Sequence, residues 1–137
     1  MKRVLLALLL LPSIALAQSH PADMTKIITN PQGAVVPDPT AMAADSKDCS
    51  KCPPLTVGGA VAIALNGTYE DEKSLGWQQR YDRAVLAKKL RDDPAAVVDG
   101  TELGVIERLM GKAGFSGWLL MEVIDDIDPN AKSGKVQ

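Results

Sequence analysis

The residues of this chain equipped for chemistry are few. Cys49 and Cys52 are its only cysteines, and His20 is its only histidine. A Cys-x-x-Cys pair can serve as a redox couple, as half of a zinc site, or as a disulfide. A redox couple wants a helix N-terminus to lower the thiol pKa, and here Pro53-Pro54 follows instead. Haem attachment wants His directly after the second cysteine, where this chain has proline. Zinc wants two further ligands. A structural disulfide asks least of the sequence, provided the chain leaves the cytoplasm. It closes only a small ring, so its entropic contribution is modest. Free or intermolecular cysteines are the alternative.

His20 gains interest from its place near a processing point. Cleavage before Gln18 leaves Gln18-Ser19-His20 at the N-terminus. The α-amine, two deprotonated amides and the imidazole then form a square-planar nitrogen set suited to Cu(II) or Ni(II). Cyclisation of Gln18 removes the amine and the site with it. Asp126, Asp128 and Asn130 match the first oxygen ligands of a calcium loop. Ala131 stands where that loop needs glycine, and Gln137 where it needs glutamate, so a solvated acidic helix end is the plainer reading. For catalysis the inventory is poor. The sequence offers no Ser/His/acid set, no Cys/His pair and no glycine-rich phosphate loop. Glu70, Asp71 and Glu72 are adjacent acids that a solvated loop explains. The expectation is a protein that is not an enzyme and carries no cofactor.

The first residues set the expected compartment. Lys2 and Arg3 precede an unbroken apolar run, Val4 to Leu11, which is too short for a span of about 20 residues. Pro12 and Ser13 break it, and Ala15-Leu16-Ala17 offers the small side chains a signal peptidase accepts. Residues 1–17 therefore read as a bacterial signal peptide, and the mature chain as periplasmic or secreted. Cleavage removes two cations and no acid, so the 15 basic and 17 acidic side chains become 13 and 17, a formal charge of about −4. Such a balance does not favour nucleic acid, whose phosphates want clustered Lys and Arg. No later apolar run is long enough for membrane insertion after signal cleavage; Leu55 to Leu65 is the best, and it suits a buried helix.

Four proline residues, at 21, 31, 37 and 39, punctuate the next stretch. Proline removes backbone donors and forces its predecessor into extended geometry. Residues 18–52 thus read as a flexible arm ending in the cysteine pair. Thr25 to Thr29 is β-prone and could add to a partner's sheet, although two exposed isoleucines in a linker explain it as well.

From residue 53 the pattern is helical, and the expected fold is all-α: a small four-helix domain over 53–128 with a disordered tail over 129–137. The first helix, Leu55 to Leu65, is apolar all round, as a central helix is. Asn66-Gly67 after alternating Val61, Ile63 and Leu65 is a competing hairpin signal. The second helix covers Ser74 to Arg91, with Trp77, Tyr81, Ala84 and Val85 at helical spacing and Leu86 and Leu90 widening the apolar arc. The third starts at Asp99, which with Glu102 forms a capping box, and carries Leu103, Ile106, Leu109 and Met110. The fourth runs from Ser116 to Asp128, its core face being Leu120, Val123, Ile124 and Ile127, and its opposite face Glu122, Asp125 and Asp126.

Taken together, Leu55-Thr-Val-Gly-Gly, Tyr69-Glu-Asp-Glu-Lys-Ser-Leu75, the cationic second helix, Ile106-Glu-Arg-Leu109-Met-Gly-Lys112 and the final Trp-containing helix resemble small helical proteins of unknown function encoded in tailed phages and prophages. The resemblance covers residues 55–128 and implies no catalytic residues. The signal segment, arm and cysteine pair depart from that pattern. The leading expectation is a non-enzymatic module that docks a protein partner outside the cytoplasm. Trp77 and Tyr81 are the candidate anchors to test, although helical spacing favours core packing for both, and Glu122, Asp125 and Asp126 are a candidate acidic surface. The alternative is a periplasmic metal-binding or redox accessory protein using the N-terminal Gln-Ser-His or the cysteine pair.

Overall fold

The computed structural model describes residues 20–42, 48–128 and 130–131. The expected signal segment, Gln18, Ser19, Pro129 and the last residues of the expected tail lie outside them. Among the described residues the fold is mostly helical, with α1 (Val57–Asn66), α2 (Trp77–Asp92), α3 (Gly100–Lys112) and α4 (Gly117–Ile127). Two-residue strands, β1 (His20–Pro21) and β2 (Val97–Val98), pair antiparallel.

The four expected helices form close to their expected limits. α1 is the central helix, and Val57, Ala60, Val61, Ala64 and Leu65 are all buried. The Thr56 hydroxyl accepts from Gly59 N–H at 3.1 Å and caps it. The hairpin suggested by Asn66-Gly67 does not form. Glycine there has a different cause: a Cβ on Gly67 would sit 2.5 Å from the Tyr69 hydroxyl, which donates to Ala64 O at 2.7 Å. Asp99 and Glu102 make the capping box that starts α3. Ile106, Leu109 and Met110 of α3 and Leu119, Val123 and Ile127 of α4 complete the core. Ser116 occupies the cap position of α4 without a side-chain bond. Leu119 is buried, whereas the expected core residues Leu120 and Ile124 are only partly covered.

The expected flexible arm needs correction. Ala22, Met24 and Ile28 are buried in the same core as the helices. The backbone explains why. The first N–H groups of a helix have no partner within it. Met24 O accepts from Gly58 N–H and Lys26 O from Val57 N–H, both at 3.0 Å. Ile28 N–H donates to Leu55 O, Val36 N–H to Ile28 O and Leu55 N–H to Val36 O, at 2.7 to 3.0 Å. Asn30 turns the chain by accepting from Gln32 and Ala34 N–H, and Gly33 takes a φ of 82° that favours glycine. The β-prone segment therefore pairs within its own chain, through Ile27 and Thr56, and Ile28 is wholly buried rather than exposed. Residue 53 is no domain edge.

Candidate docking surface

α2 is held along one narrow face. Ala87 and Leu90 are buried against α1, Leu86 is partly covered, and Arg83 reaches Glu72. At its C-terminal end Lys89 donates to Val97 O at 2.8 Å and to Glu102 Oε1 at 3.0 Å, tying α2 to β2 and α3. Close approach to α1 depends on Gly58. A Cβ at that position would lie 2.3 Å from Leu90 O.

The opposite face of α2 is bare. Trp77 is 76% exposed, Tyr81 60% and Val85 50%. They stand four residues apart, so they line up along one side of the helix. Helical spacing alone groups them with Leu86 and Leu90 as one apolar arc; the structure divides that arc into a covered half and an open half. Core packing of Trp77 and Tyr81, the role that helical spacing favours, is thereby corrected. Arg80 lies beside the stripe and donates to Lys73 O at 3.2 Å. Lys88 pairs with Asp92, and Asp82 accepts from Gln78 on the other border. Arg91 has no ion-pair partner among the described residues.

Under this helix lies a charge cluster centred on Glu72, one of the three acids expected in a solvated loop. Glu72 is only 8% exposed. Its Oε2 accepts from Arg83 Nη1 and its Oε1 from Arg108 Nη1, each at 2.7 Å, with Lys112 Nζ 3.7 Å from Oε1. Lys112 also pairs with Asp71. The hydrogen bond from Arg83, reinforced by the nearby cations, holds the Glu72 carboxyl below its ordinary pKa. A carboxylate so saturated is a poor proton donor or base, and its place in the fold is structural: it ties the 70–72 turn to α2 and α3. Glu107 is the opposite case, raised first by desolvation and then by Asp128.

The acidic surface expected on α4 is largely engaged within the molecule. Lys26 Nζ stands 2.8 Å from Glu122 Oε1 and 2.7 Å from Asp126 Oδ2, bracing the segment that caps α1. These carboxylates keep the Lys26 ammonium charged to higher pH than usual, the Asp126 contact contributing most. Asp125 is half-buried, one helical turn beyond the exposed Met121.

Cys49 and Cys52 are joined in a disulfide, with Cα atoms 4.9 Å apart. The main chain of His20 stands opposite Val98 in the β1–β2 pair, and Gln18 and Ser19, which the nitrogen set considered for copper also needs, lie outside the described residues. No group of three or more His, Cys, Asp or Glu among the described residues is placed to hold a metal ion. No helix among them is long and apolar enough to cross a membrane. Compared with protein-family models, curated proteins and solved structures, the chain finds no match in any of the three.

The arrangement therefore offers an open aromatic stripe on a firmly held helix. Trp77 and Tyr81 were legible as candidate anchors; Arg80 and Arg91 were legible only as part of a cationic helix. Their separate position beside the stripe follows from which face α1 covers.

Proposed function

We propose that the chain is an exported, non-enzymatic interaction module that docks a protein partner through the outer face of α2. One observation carries this reading: Trp77, Tyr81 and Val85 form a continuous apolar line in water on a helix braced from behind. An aromatic side chain covers about 150–250 Å² when fully buried. At ~25 cal/mol per Å², covering the exposed three quarters of Trp77 recovers roughly 3–5 kcal/mol before association costs are met. Aromatic residues placed this way are the anchors from which interfaces draw most of their energy. The apolar run and Ala-x-Ala site at residues 4–17 support export, and the disulfide accords with an oxidising compartment.

A photo-crosslinking residue at position 81 of the full chain, expressed in its own host, tests the reading. The expected result is a discrete protein adduct that disappears when Trp77→Ser is added. Folded protein that forms no adduct, or an adduct indifferent to Trp77→Ser, overturns it.

A further inference from the structure

Two hollows run beside the aromatic stripe, between α2 and the end of α1. The first, of about 220 Å³, is bordered by Asn66, Tyr69, Glu72, Arg80 and Arg83. The second, of about 260 Å³, is bordered by Asn66, Ala84, Lys88, Arg91 and Asp92. They share Asn66, and the small side chain of Ala84 stands in the second, on the α2 side.

Each hollow has one cation more than its own acids balance. In the first, Glu72 takes Arg83, while Arg80 donates only to the Lys73 carbonyl. In the second, Lys88 and Asp92 pair with each other, which leaves Arg91. A guanidinium carries five N–H donors, so both arginines have donors to offer. Arg80 and Arg91 are eleven residues apart on α2, roughly 16 Å at the helical rise. They border the same side of the stripe formed by Trp77, Tyr81 and Val85.

From this we infer that the occupant of the α2 face is an acidic amphipathic helix of a partner protein. Its apolar side lies on Trp77 and Tyr81, and its carboxylates enter the hollows to meet Arg80 and Arg91. The inference rests on the docking reading above and adds the chemistry of the partner. Charge complementarity carries it: the stripe is apolar, and the unbalanced charge along its hollow side is positive at both ends, Asp82 lying on the other border. A flat anionic bilayer is a poorer fit. The surplus cations sit at concave hollows, which the side chains of a helix can enter and a flat surface cannot.

Three synthetic helical peptides test it against the mature, disulfide-bonded chain. They share one apolar stripe and carry Glu, Gln or Lys along its borders. The expected outcome is that the Glu peptide binds at least tenfold more tightly than the Lys peptide. That preference falls with added salt and vanishes in the Arg80→Gln/Arg91→Gln variant, whose circular dichroism is unchanged. Trp77→Ser weakens every peptide. Equal binding of all three peptides, still lost in Trp77→Ser, overturns the acidic partner and leaves the docking surface standing. Failure of the Glu peptide to bind overturns the inference, whether vesicles containing phosphatidylglycerol bind in its place or not. So does concentration-dependent self-association that Arg80→Gln/Arg91→Gln abolishes, because the occupant is then a second copy.

Discussion

Replacing Gly58 by alanine is the sharpest test of how α2 is seated. Gly58 lies in the first turn of α1. An alanine Cβ there would stand 2.3 Å from Leu90 O and 3.1 Å from Met24 O. Both are main-chain carbonyls, and Met24 O already accepts from Gly58 N–H. Neither can rotate away. Restoring van der Waals contact near 3.5 Å requires the two helices to part by roughly 1 Å, and a gap of that size forfeits a quarter to a half of each contact across it. Leu90 and Ala87, both buried at this seam, lose those contacts together. Overpacking costs about 1–3 kcal/mol, and a clash with backbone belongs at the upper end. Alanine returns about 0.5–1 kcal/mol of helix propensity. The net expectation is a loss of about 2 kcal/mol, a drop in Tm of about 8–16 °C for a domain near 100 residues.

Gly59→Ala is the matched control. Its Cβ would meet the Leu55 Cδ1 and Thr56 Oγ1 side-chain atoms, each at 3.3 Å. Shifts of a few tenths of an ångström in Leu55 and the Thr56 hydroxyl relieve this, and the helix propensity of alanine offsets their cost, so stability should stay within about 0.5 kcal/mol of the parent. Urea unfolding followed by circular dichroism measures both variants. Gly58→Ala as stable as the parent, or Gly59→Ala as damaged as Gly58→Ala, refutes the close-approach argument.

Glu72→Gln leaves Arg83 largely buried without its counter-ion and should cost about 3 kcal/mol, the low end for a broken buried pair because Arg108 is half exposed. The folded pKa of Glu72 is lowered, so its contribution is present above the ordinary carboxylate value and is lost as pH falls through the folded one. Acid titration of stability should therefore be shallower in Glu72→Gln than in the parent. Gly104→Ala fills open space within α3 and should raise stability by about 0.5–1 kcal/mol in the same urea assay. Trp77→Ala removes an exposed side chain and should change stability by no more than about 0.5 kcal/mol, although a buried aromatic would cost several.

Helix positions were readable because each has a local cause. The Asp99 and Glu102 capping box and the uniformly apolar α1 both act within a few residues. The role of residues 22–28 was not readable, since it depends on carbonyls of Met24 and Lys26 meeting the start of a helix some thirty residues later. Proline density signals extended backbone, and extended backbone can lie on a core as readily as in water. Glu72 was hidden for a similar reason. Its partners, Arg83 and Arg108, come from two different helices, and three adjacent acids look alike until those helices converge on one of them. α2 presented two apolar rows, and periodicity finds rows without saying which one is covered.

What decides between those rows is the shape of α1. Gly58 admits the Leu90 carbonyl at a distance no other side chain allows, so the helix can approach α1 most closely along its Ala87–Leu90 side. Once that side is seated, Lys89 and Arg83 lock the rotation, because each reaches an acid that is itself fixed by α3 or by the 70–72 turn. Trp77, Tyr81 and Val85 then have no path to the core. Turning α2 to bury them would drive indole and phenol rings against glycine-lined backbone and detach both cations from their carboxylates. The exposure of the aromatic stripe is thus a consequence of how α2 is bound on its other side, and the surface keeps its geometry whether or not a partner is present.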